Sequence, residues 1–322
     1  MRDNTTESFR HFAALATASF FLAVSPRAGA SAYTCAPPNV QQTFTTNAAP
    51  GTTNADIQSF VSPASAVTID AAGAQGGRGG GLGAEVVAAF AVEPGTTICM
   101  IIGVQGETDA NYGSGGGGAT FVYSVASGTC ESNLPDVNTA SSPQLMIAAA
   151  GGGGGISSHV TPASSNGVAP SGAGVVGAAP GTAGVSGGAG GTAGSGGGGS
   201  EESAAGGGGW LTDGGIAPEC CLGGLALVHG SVGGTASSFS EGGFGGGGSG
   251  ANGGAGGGGF NGGGAGGIDS LDQSGAGGGG GSFSGTAPLL PYTQSGVQTG
   301  NGSVTLCFDA STPVRLQEFG VD

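Results

Sequence analysis

The sequence contains no lysine and few basic residues of any kind. Its five cationic side chains are all arginines, and three of them lie within the first thirty residues. The acidic residues number 20, so the formal net charge is −15. Nucleic acids and anionic membranes are bound chiefly through Lys and Arg. The sequence therefore predicts neither nucleic acid nor an anionic membrane as a partner.

Charged residues of both signs are scarce, at 8% of the chain, whereas 37% of the residues are hydrophobic. Disordered segments have the opposite profile, with low hydrophobicity and high charge. Glycine dominates instead, with 78 of the 322 residues. Each glycine costs roughly 0.5–1 kcal/mol more than alanine to order, so a folded state must compensate through dense main-chain hydrogen bonding.

Long hydrophobic runs do not occur after the first thirty residues, so we expect no transmembrane segment in the mature chain. Residues 1–30 carry arginines before the apolar run 12–24 and end in the small residues Ala28-Gly29-Ala30. This pattern predicts a secretory signal peptide that is cleaved after Ala30, or after Ala32 at an overlapping site. Cleavage after Ala30 leaves 18 acidic residues, two Arg and a formal charge of −16. We expect a secreted, cell-surface or periplasmic protein.

Six cysteines follow this leader, and an even count in an exported chain predicts disulfide bonds. They are Cys35, Cys99, Cys130, Cys220, Cys221 and Cys307. Sequence cannot choose among the fifteen pairings of six cysteines. The adjacent pair can bond to each other or take separate partners, and we expect separate partners. No Cys-x-x-Cys occurs and no histidine lies at zinc-finger spacing, so we expect no metal site.

Short segments of alternating or apolar character predict β-strands on both sides of the glycine-rich tract. The irregular entry segment, residues 31–64, contains a short candidate strand, 42–45. The candidate strands after it are 65–71, 84–90, 97–104, 121–123, 145–147 and 303–308. A polar insert, 129–142, separates two of them. A polar tail, 309–322, follows the last.

The tract from Gly151 to Gly281 consists of glycine blocks separated by Ala, Ser or Asn. It has no strict Gly-X-Y repeat, which excludes a collagen triple helix. Two alternatives remain: a flexible linker, or packed threefold helices of the polyproline II type. We expect packing because strands bracket the tract on both sides.

Several of these segments resemble a known family in their content and their order. They are Ser114–Val122, Pro143–Gly155, Gly209-Trp210, Gly242–Gly246, Gly257–Gly263 and Gly300–Val304. The order is similar to that in the glycine-rich ectodomain of the anaplastic lymphoma kinase and leukocyte tyrosine kinase receptors, and secreted bacterial glycine-rich proteins share it.

The resemblance covers roughly residues 65–308 and implies a mainly β fold with little α-helix. That fold is a jelly-roll-like antiparallel β-sandwich from which a bundle of polyglycine II-type helices is inserted. In the receptors this domain binds a cytokine ligand. The chain has no His-Arg-Asp or Asp-Phe-Gly motif and no transmembrane helix, so neither kinase activity nor signalling carries over.

Motifs that suggest catalysis are explained by the glycine content. The segment 184–188 matches Gly-x-Ser-x-Gly but lacks the strand and helix that make it a nucleophile elbow. The segment 263–269 approaches a calcium-binding nonapeptide, but its Asp falls one residue late and the repeat is not iterated. Only His159 and His229 follow the leader, and no acid–base or nucleophilic constellation is apparent. We expect no catalytic residues and no cofactor.

Two single residues have a structural and a functional interpretation. Trp210, the only tryptophan, could anchor a partner, since Trp is enriched in interface hot spots. The structural interpretation, a cap over the glycine bundle or the β core, is the one we favour. Asn301-Gly302-Ser303 fits a glycosylation acceptor, but it lies in the predicted turn before the last strand.

Two functions remain open. The favoured one is an exported, non-catalytic binding or adhesion module whose rigid glycine scaffold presents loops such as 129–142 and 210–240 to a basic protein or a glycan. The alternative is a structural cell-wall or matrix protein that self-associates through its glycine faces. The acidic charge favours the first, because like-charged copies repel each other at low salt and basic partners associate faster.

Overall fold

The computed structural model describes residues 33–109, 111–126, 128–131, 134, 137–138, 143–156, 163–170, 177–179, 181–268 and 273–309. The predicted signal peptide, residues 1–30, lies outside the described residues. So does the predicted tail 309–322, apart from its first residue. The described part contains no α-helix, and its only helical elements are the 3-10 turns Ala163–Ser165 and Leu227–His229.

Eleven strands form two antiparallel sheets in the described residues. The strands are β1 Asn39–Thr45, β2 Gln58–Val61, β3 Ala66–Ala72, β4 Gly83–Ala91, β5 Thr97–Ile101, β6 Thr120–Val125, β7 Gln144–Ala149, β8 Gly177–Ala178, β9 Phe283–Ser284, β10 Gln294–Gln298 and β11 Ser303–Asp309. The first sheet has the order β1-β11-β3-β4-β10, and the second has the order β2-β5-β6-β7-β9-β8. The predicted mainly β, antiparallel sandwich is confirmed.

The first core lies between the two sheets. Strand β3 turns alternate side chains inward, as its period-2 pattern predicts, and Ile69 stands opposite Ala88 of β4 and Leu306 of β11. These residues pack against Ile98 and Met100 of the second sheet. Both sheets contribute buried apolar side chains to one cluster, which is the defining feature of a sandwich.

The second sheet is buried on its other face as well. Side chains alternate along a strand, so Phe121 and Tyr123 of β6 point away from the first core and into a second one. There they meet the rare large residues of the glycine tract, including Leu227, Phe244 and Phe260. Burial on both faces explains why β5 and β7 read as continuous apolar runs.

The glycine tract is packed, and residues 254–259 show how. Successive N–H groups of this segment donate in three directions, and the direction repeats at every third residue. Positions 254 and 257 donate to the segment 275–278, positions 255 and 258 to 114–117, and positions 256 and 259 to 205–208. A three-residue turn is the period of the polyproline II helix. The segment is therefore a threefold helix with backbone partners on three sides.

Carbonyl groups of the same segment complete the ring of neighbours. Those of Gly254 and Gly257 accept hydrogen bonds from the segment 263–266, and those of Ala255 and Gly258 accept from 151–154. The carbonyl of Gly256 accepts from a sixth neighbour. The expected dense main-chain bonding is present, and the prediction of packing rather than a flexible linker is confirmed.

Close approach is what requires glycine in this bundle. A Cβ atom at Gly258 would lie 2.1 Å from the carbonyl oxygen of Gly245, and one at Gly256 would lie 1.9 Å from that of Gly263. Neither distance is compatible with van der Waals contact. Any side chain at these positions forces two backbone segments apart.

The six cysteines pair with one another. Cys35 bonds to Cys307 on β11, and Cys99 on β5 bonds to Cys130 in the polar insert. The prediction of separate partners for Cys220 and Cys221 is wrong, because these two residues bond to each other. The physical reason is placement: their N–H groups both donate to the carbonyl of Ala217 in one tight turn of the glycine bundle, whereas the other four cysteines pair within the β-sandwich and its insert.

Candidate functional site

Trp210 lies at the edge of the second core. Its ring stacks on Phe260 with centroids 5.1 Å apart, and Phe260 stacks on Phe283 at 4.7 Å. The indole Nε1 is buried. Because the polar end of the ring faces the protein, the geometry is that of a cap on the core, which is the structural interpretation of this residue.

The loop that follows Trp210 is held by a carboxylate. Asp213 Oδ1 lies 2.8 Å from His229 Nδ1 and accepts the backbone N–H of Ala226 at 2.7 Å. Both side chains are about half exposed, at 53% for His229 and 41% for Asp213. One oxygen therefore joins the loop to the 3-10 turn, and the pair acts as a clasp between two segments of the region 210–240.

An exposed apolar patch lies at one end of the glycine bundle. We define the Tyr112 patch as Tyr112, Phe239 and the bonded pair Cys220 and Cys221. The rings of Tyr112 and Phe239 meet edge to face with centroids 5.3 Å apart. Phe239 and the disulfide share a small cluster with buried alanines such as Ala217. Tyr112 is 45% exposed, and Phe239 and Cys220 are half-buried, so the cluster reaches the surface.

Two further large apolar residues are chain neighbours of buried members of this cluster. Ile216 precedes the buried Ala217 and is 54% exposed, and Leu222 follows the buried Cys221 and is 55% exposed. Isolated exposed apolar residues are normal on protein surfaces. A contiguous exposed apolar patch, in contrast, is a feature of binding surfaces.

The backbone fixes the residues of the Tyr112 patch. Cys221 pairs with both Ala217 and Ala236, and Ser240, next to Phe239, exchanges two hydrogen bonds with Gly250. The N–H of Tyr112 donates to Asp109 Oδ1 at 3.1 Å. These bonds connect the patch to the glycine bundle.

Several acidic residues lie near the Tyr112 patch, in space or along the chain. We define the acidic rim as Glu107, Asp109, Glu202, Glu219 and Glu241. Glu107 Oε2 accepts the N–H of Glu241 at 2.8 Å, and the carbonyl oxygen of Glu202 lies 3.9 Å from the sulfur of Cys220. Glu219 is exposed and immediately precedes Cys220 in the chain.

Arg78 is the only Arg or Lys in the part of the chain that the structure describes. Its Nη1 donates to the carbonyl oxygen of Asp109, at the border of the acidic rim. One cation beside five carboxylates leaves the surface strongly negative.

A polar cleft of about 420 Å³ lies beside the rim. It is lined by Ser186, Ser200, Glu201, Glu202 and Ile268, among others. Because Glu201 and Glu202 line it, the cleft extends the negative surface away from the Tyr112 patch.

The described residues of loop 129–142 and the side chain of Asn301 have structural roles. The described part of the loop places Leu134 and Val137 in the second core. The Asn301 side chain accepts the N–H of Gln105 at 2.8 Å and donates to the carbonyls of Thr46 and Ala48. Its amide is committed to structural hydrogen bonds at the end of the sandwich.

No group of three or more metal-ligating side chains occurs within the described ranges. Over the same ranges no helix is long and apolar enough to cross a bilayer.

Sequence reasoning missed the Tyr112 patch. Region 210–240 was predicted to present loops, but Tyr112 lies about a hundred residues earlier and the pairing of the adjacent cysteines was not predicted. The one signal available was an aromatic residue placed between Asp109-Ala110-Asn111 and a glycine block in a chain with only 6% aromatics.

Comparison with known proteins adds no relative. No protein-family model matches the chain, and no curated protein matches it. The resemblance to the receptor ectodomains therefore stays a hypothesis that rests on the quoted segments.

Proposed function

We propose that this chain is an exported, non-catalytic binding module that presents side chains from a rigid glycine scaffold to a basic protein. The observation that carries the proposal is the Tyr112 patch with its acidic rim. An apolar centre with a charged border is the usual anatomy of a recognition surface.

The scaffold supports this proposal. Backbone hydrogen bonds on all sides of the glycine segments restrict motion, and a surface that is already ordered loses less entropy when it binds. The three disulfide bonds are typical of proteins in an oxidising, extracellular environment.

The resemblance to the receptor ectodomains favours the same function, because that domain binds a protein ligand. Only the general mode carries over. The ligand contacts of the receptors have no matching motif around Tyr112.

Self-association is the competing function. The bundle glycines are largely buried and bond to one another, which leaves few glycine faces for a second copy. One feature favours assembly: strand β1 is an exposed edge strand without charged residues, and such edges can pair with other chains.

Light scattering across a series of ionic strengths, combined with capture of proteins from extracellular fluid, tests the proposal. We expect a monomer at every salt concentration and a basic protein that is captured at low salt and released at high salt. Large assemblies at physiological salt with nothing captured would favour the structural alternative. Hydrolase and kinase assays should detect no turnover, and turnover abolished by a single substitution would contradict the non-catalytic assignment.

A further inference from the structure

We propose that the Tyr112 patch and its acidic rim are the docking surface, and that the occupant is a basic protein segment that places one apolar side chain against Tyr112 and the Cys220–Cys221 disulfide. This assignment rests on the proposed function and adds the apolar contact that the partner makes and the rim carboxylates that pair with its basic side chains.

The centre of the surface is suited to an apolar side chain. The edge of one ring meets the face of another at 5.3 Å, and the disulfide lies in the same cluster as Phe239. Two bonded sulfurs on adjacent residues form a compact group without a strong hydrogen-bond donor. Cys221 is buried and Cys220 is half-buried, so an incoming Leu, Met or aromatic residue would cover Tyr112 and the exposed part of Cys220 and displace water from them.

The disulfide between adjacent residues restricts the conformation of the Tyr112 patch further. The Cα atoms of Cys220 and Cys221 are 3.7 Å apart and their side chains close a ring with the backbone between them. A bond between neighbours closes almost no loop, so it contributes little to global stability in the chain-entropy account. Its effect is local, and the local feature it shapes is this surface.

The rim determines the charge of the occupant. The rim residues Asp109, Glu202 and Glu219 adjoin the patch, and Arg78 at the border is the only Arg or Lys in the described ranges. Lys and Arg side chains of a partner would pair with Glu202 and Glu219, whereas a second copy of this acidic chain would be repelled. A neutral glycan would gain nothing from the charges, so the rim favours a basic protein segment.

The test begins with selection of random twelve-residue peptides on the folded protein at low salt. We expect the selected peptides to be basic and to share an apolar residue. The strongest peptide is then measured by fluorescence anisotropy against wild type, Tyr112→Ser and the pair Glu202→Gln/Glu219→Gln.

Tyr112→Ser removes the aromatic side chain and should weaken binding roughly tenfold, the scale of an interface hot spot. Glu202→Gln/Glu219→Gln should weaken binding at low salt and leave the affinity at high salt nearly unchanged, because salt already screens the attraction of these carboxylates for the peptide. Matched controls far from the patch, Leu290→Ser and Asp56→Asn/Glu93→Gln, should bind like wild type.

Folding is separated from binding by two further measurements. Melting temperature and near-UV circular dichroism identify a variant that has lost its fold, and Tyr112→Phe keeps the ring and should retain binding. If Tyr112→Ser does not fold, Glu202→Gln/Glu219→Gln tests the docking surface instead, because both side chains are exposed.

Three outcomes would overturn the assignment. They are selection of acidic or neutral peptides, equal binding by wild type and folded Tyr112→Ser, and binding of neutral chitotetraose that Tyr112→Ser abolishes while no basic peptide binds. A basic protein captured equally by wild type and Tyr112→Ser would leave the proposed function intact and move it to another surface. No capture by either would contradict the proposed function itself.

Discussion

The β-sandwich and the glycine bundle hold together in opposite ways. In the sandwich, side chains such as Ile98 and Leu306 fill the space between two sheets. In the bundle the backbone fills the space itself, and segments such as 254–259 bond to neighbours in every direction. The sandwich is stabilised by packed side chains, whereas the bundle is stabilised by backbone contacts that form because glycine has no side chain.

This difference reverses the usual effects of substitution. Adding a methyl group to the bundle should cause more damage than removing one from the sandwich, because a carbonyl oxygen occupies the space where the Cβ would lie.

Replacement of Gly258 by Val should be the most damaging change. The Cβ alone would lie 2.1 Å from the carbonyl oxygen of Gly245, and overpacking of this kind costs about 3 kcal/mol or more. Thermal melting followed by circular dichroism measures the loss. Gly198→Ala is the milder comparison inside the bundle, since its Cβ would lie 3.2 Å from the backbone nitrogen of Ala189 and needs only a small shift, so it should melt much closer to wild type than Gly258→Val. Equal melting of all three proteins would contradict a packed bundle.

Removal of the long-range disulfide should have the next largest effect. Cys35 and Cys307 are separated by 272 residues, and loss of a native disulfide typically costs about 2–5 kcal/mol. Denaturant unfolding of Cys35→Ala/Cys307→Ala should show this loss. The matched double variant Cys220→Ala/Cys221→Ala closes no long loop and should stay within about 1 kcal/mol of wild type. A larger effect from the adjacent pair would mean that it holds more of the bundle than its own turn.

High pH should destabilise the interface between the two regions. Burial raises the pKa of Tyr123, whose hydroxyl donates to the carbonyl of Glu131 at 2.6 Å. The unfolded chain loses this proton near pH 10 while the folded chain keeps it. Stability should therefore be unaffected by this group below pH 10 and fall above it, by up to about 1.4 kcal/mol per pH unit.

Tyr123→Phe separates this contribution from other alkaline effects. Its unfolding free energy should depend less on pH above 10 than that of wild type, measured by urea unfolding at several pH values. A parallel decline in both proteins would show that the Tyr123 proton is not responsible.

The Asp213 clasp should have the smallest effect on global stability. The side chains are half exposed, and exposed pairs contribute up to about 1 kcal/mol. Asp213→Asn should leave the melting temperature almost unchanged. Hydrogen exchange should nevertheless speed up at the N–H of Ala226, which donates to the carboxylate. Unchanged exchange there would mean that the backbone alone fixes the loop.

The sequence by itself determined most of the secondary structure. Strand β3 follows from alternation in 65–71, and the closing strand β11 follows from the pattern after Asn301-Gly302. Packing of the glycine tract was predicted too, because strands bracket the tract and only glycine permits such close backbone approach. Strands β2, β8, β9 and β10 were not predicted, since they have only two to five residues and show too few alternations for a signal.

Tertiary structure alone decided the cysteine pairing and the Tyr112 patch. Pairing depends on which Cα atoms come within bonding range: a tight turn places Cys220 beside Cys221, and the pairing of β1 with β11 in one sheet places Cys35 beside Cys307. The patch joins Tyr112 to Phe239, which are far apart in the chain. A local pattern reports on neighbours along the chain, whereas a surface depends on long-range packing, so no period or motif in the sequence could place these side chains together.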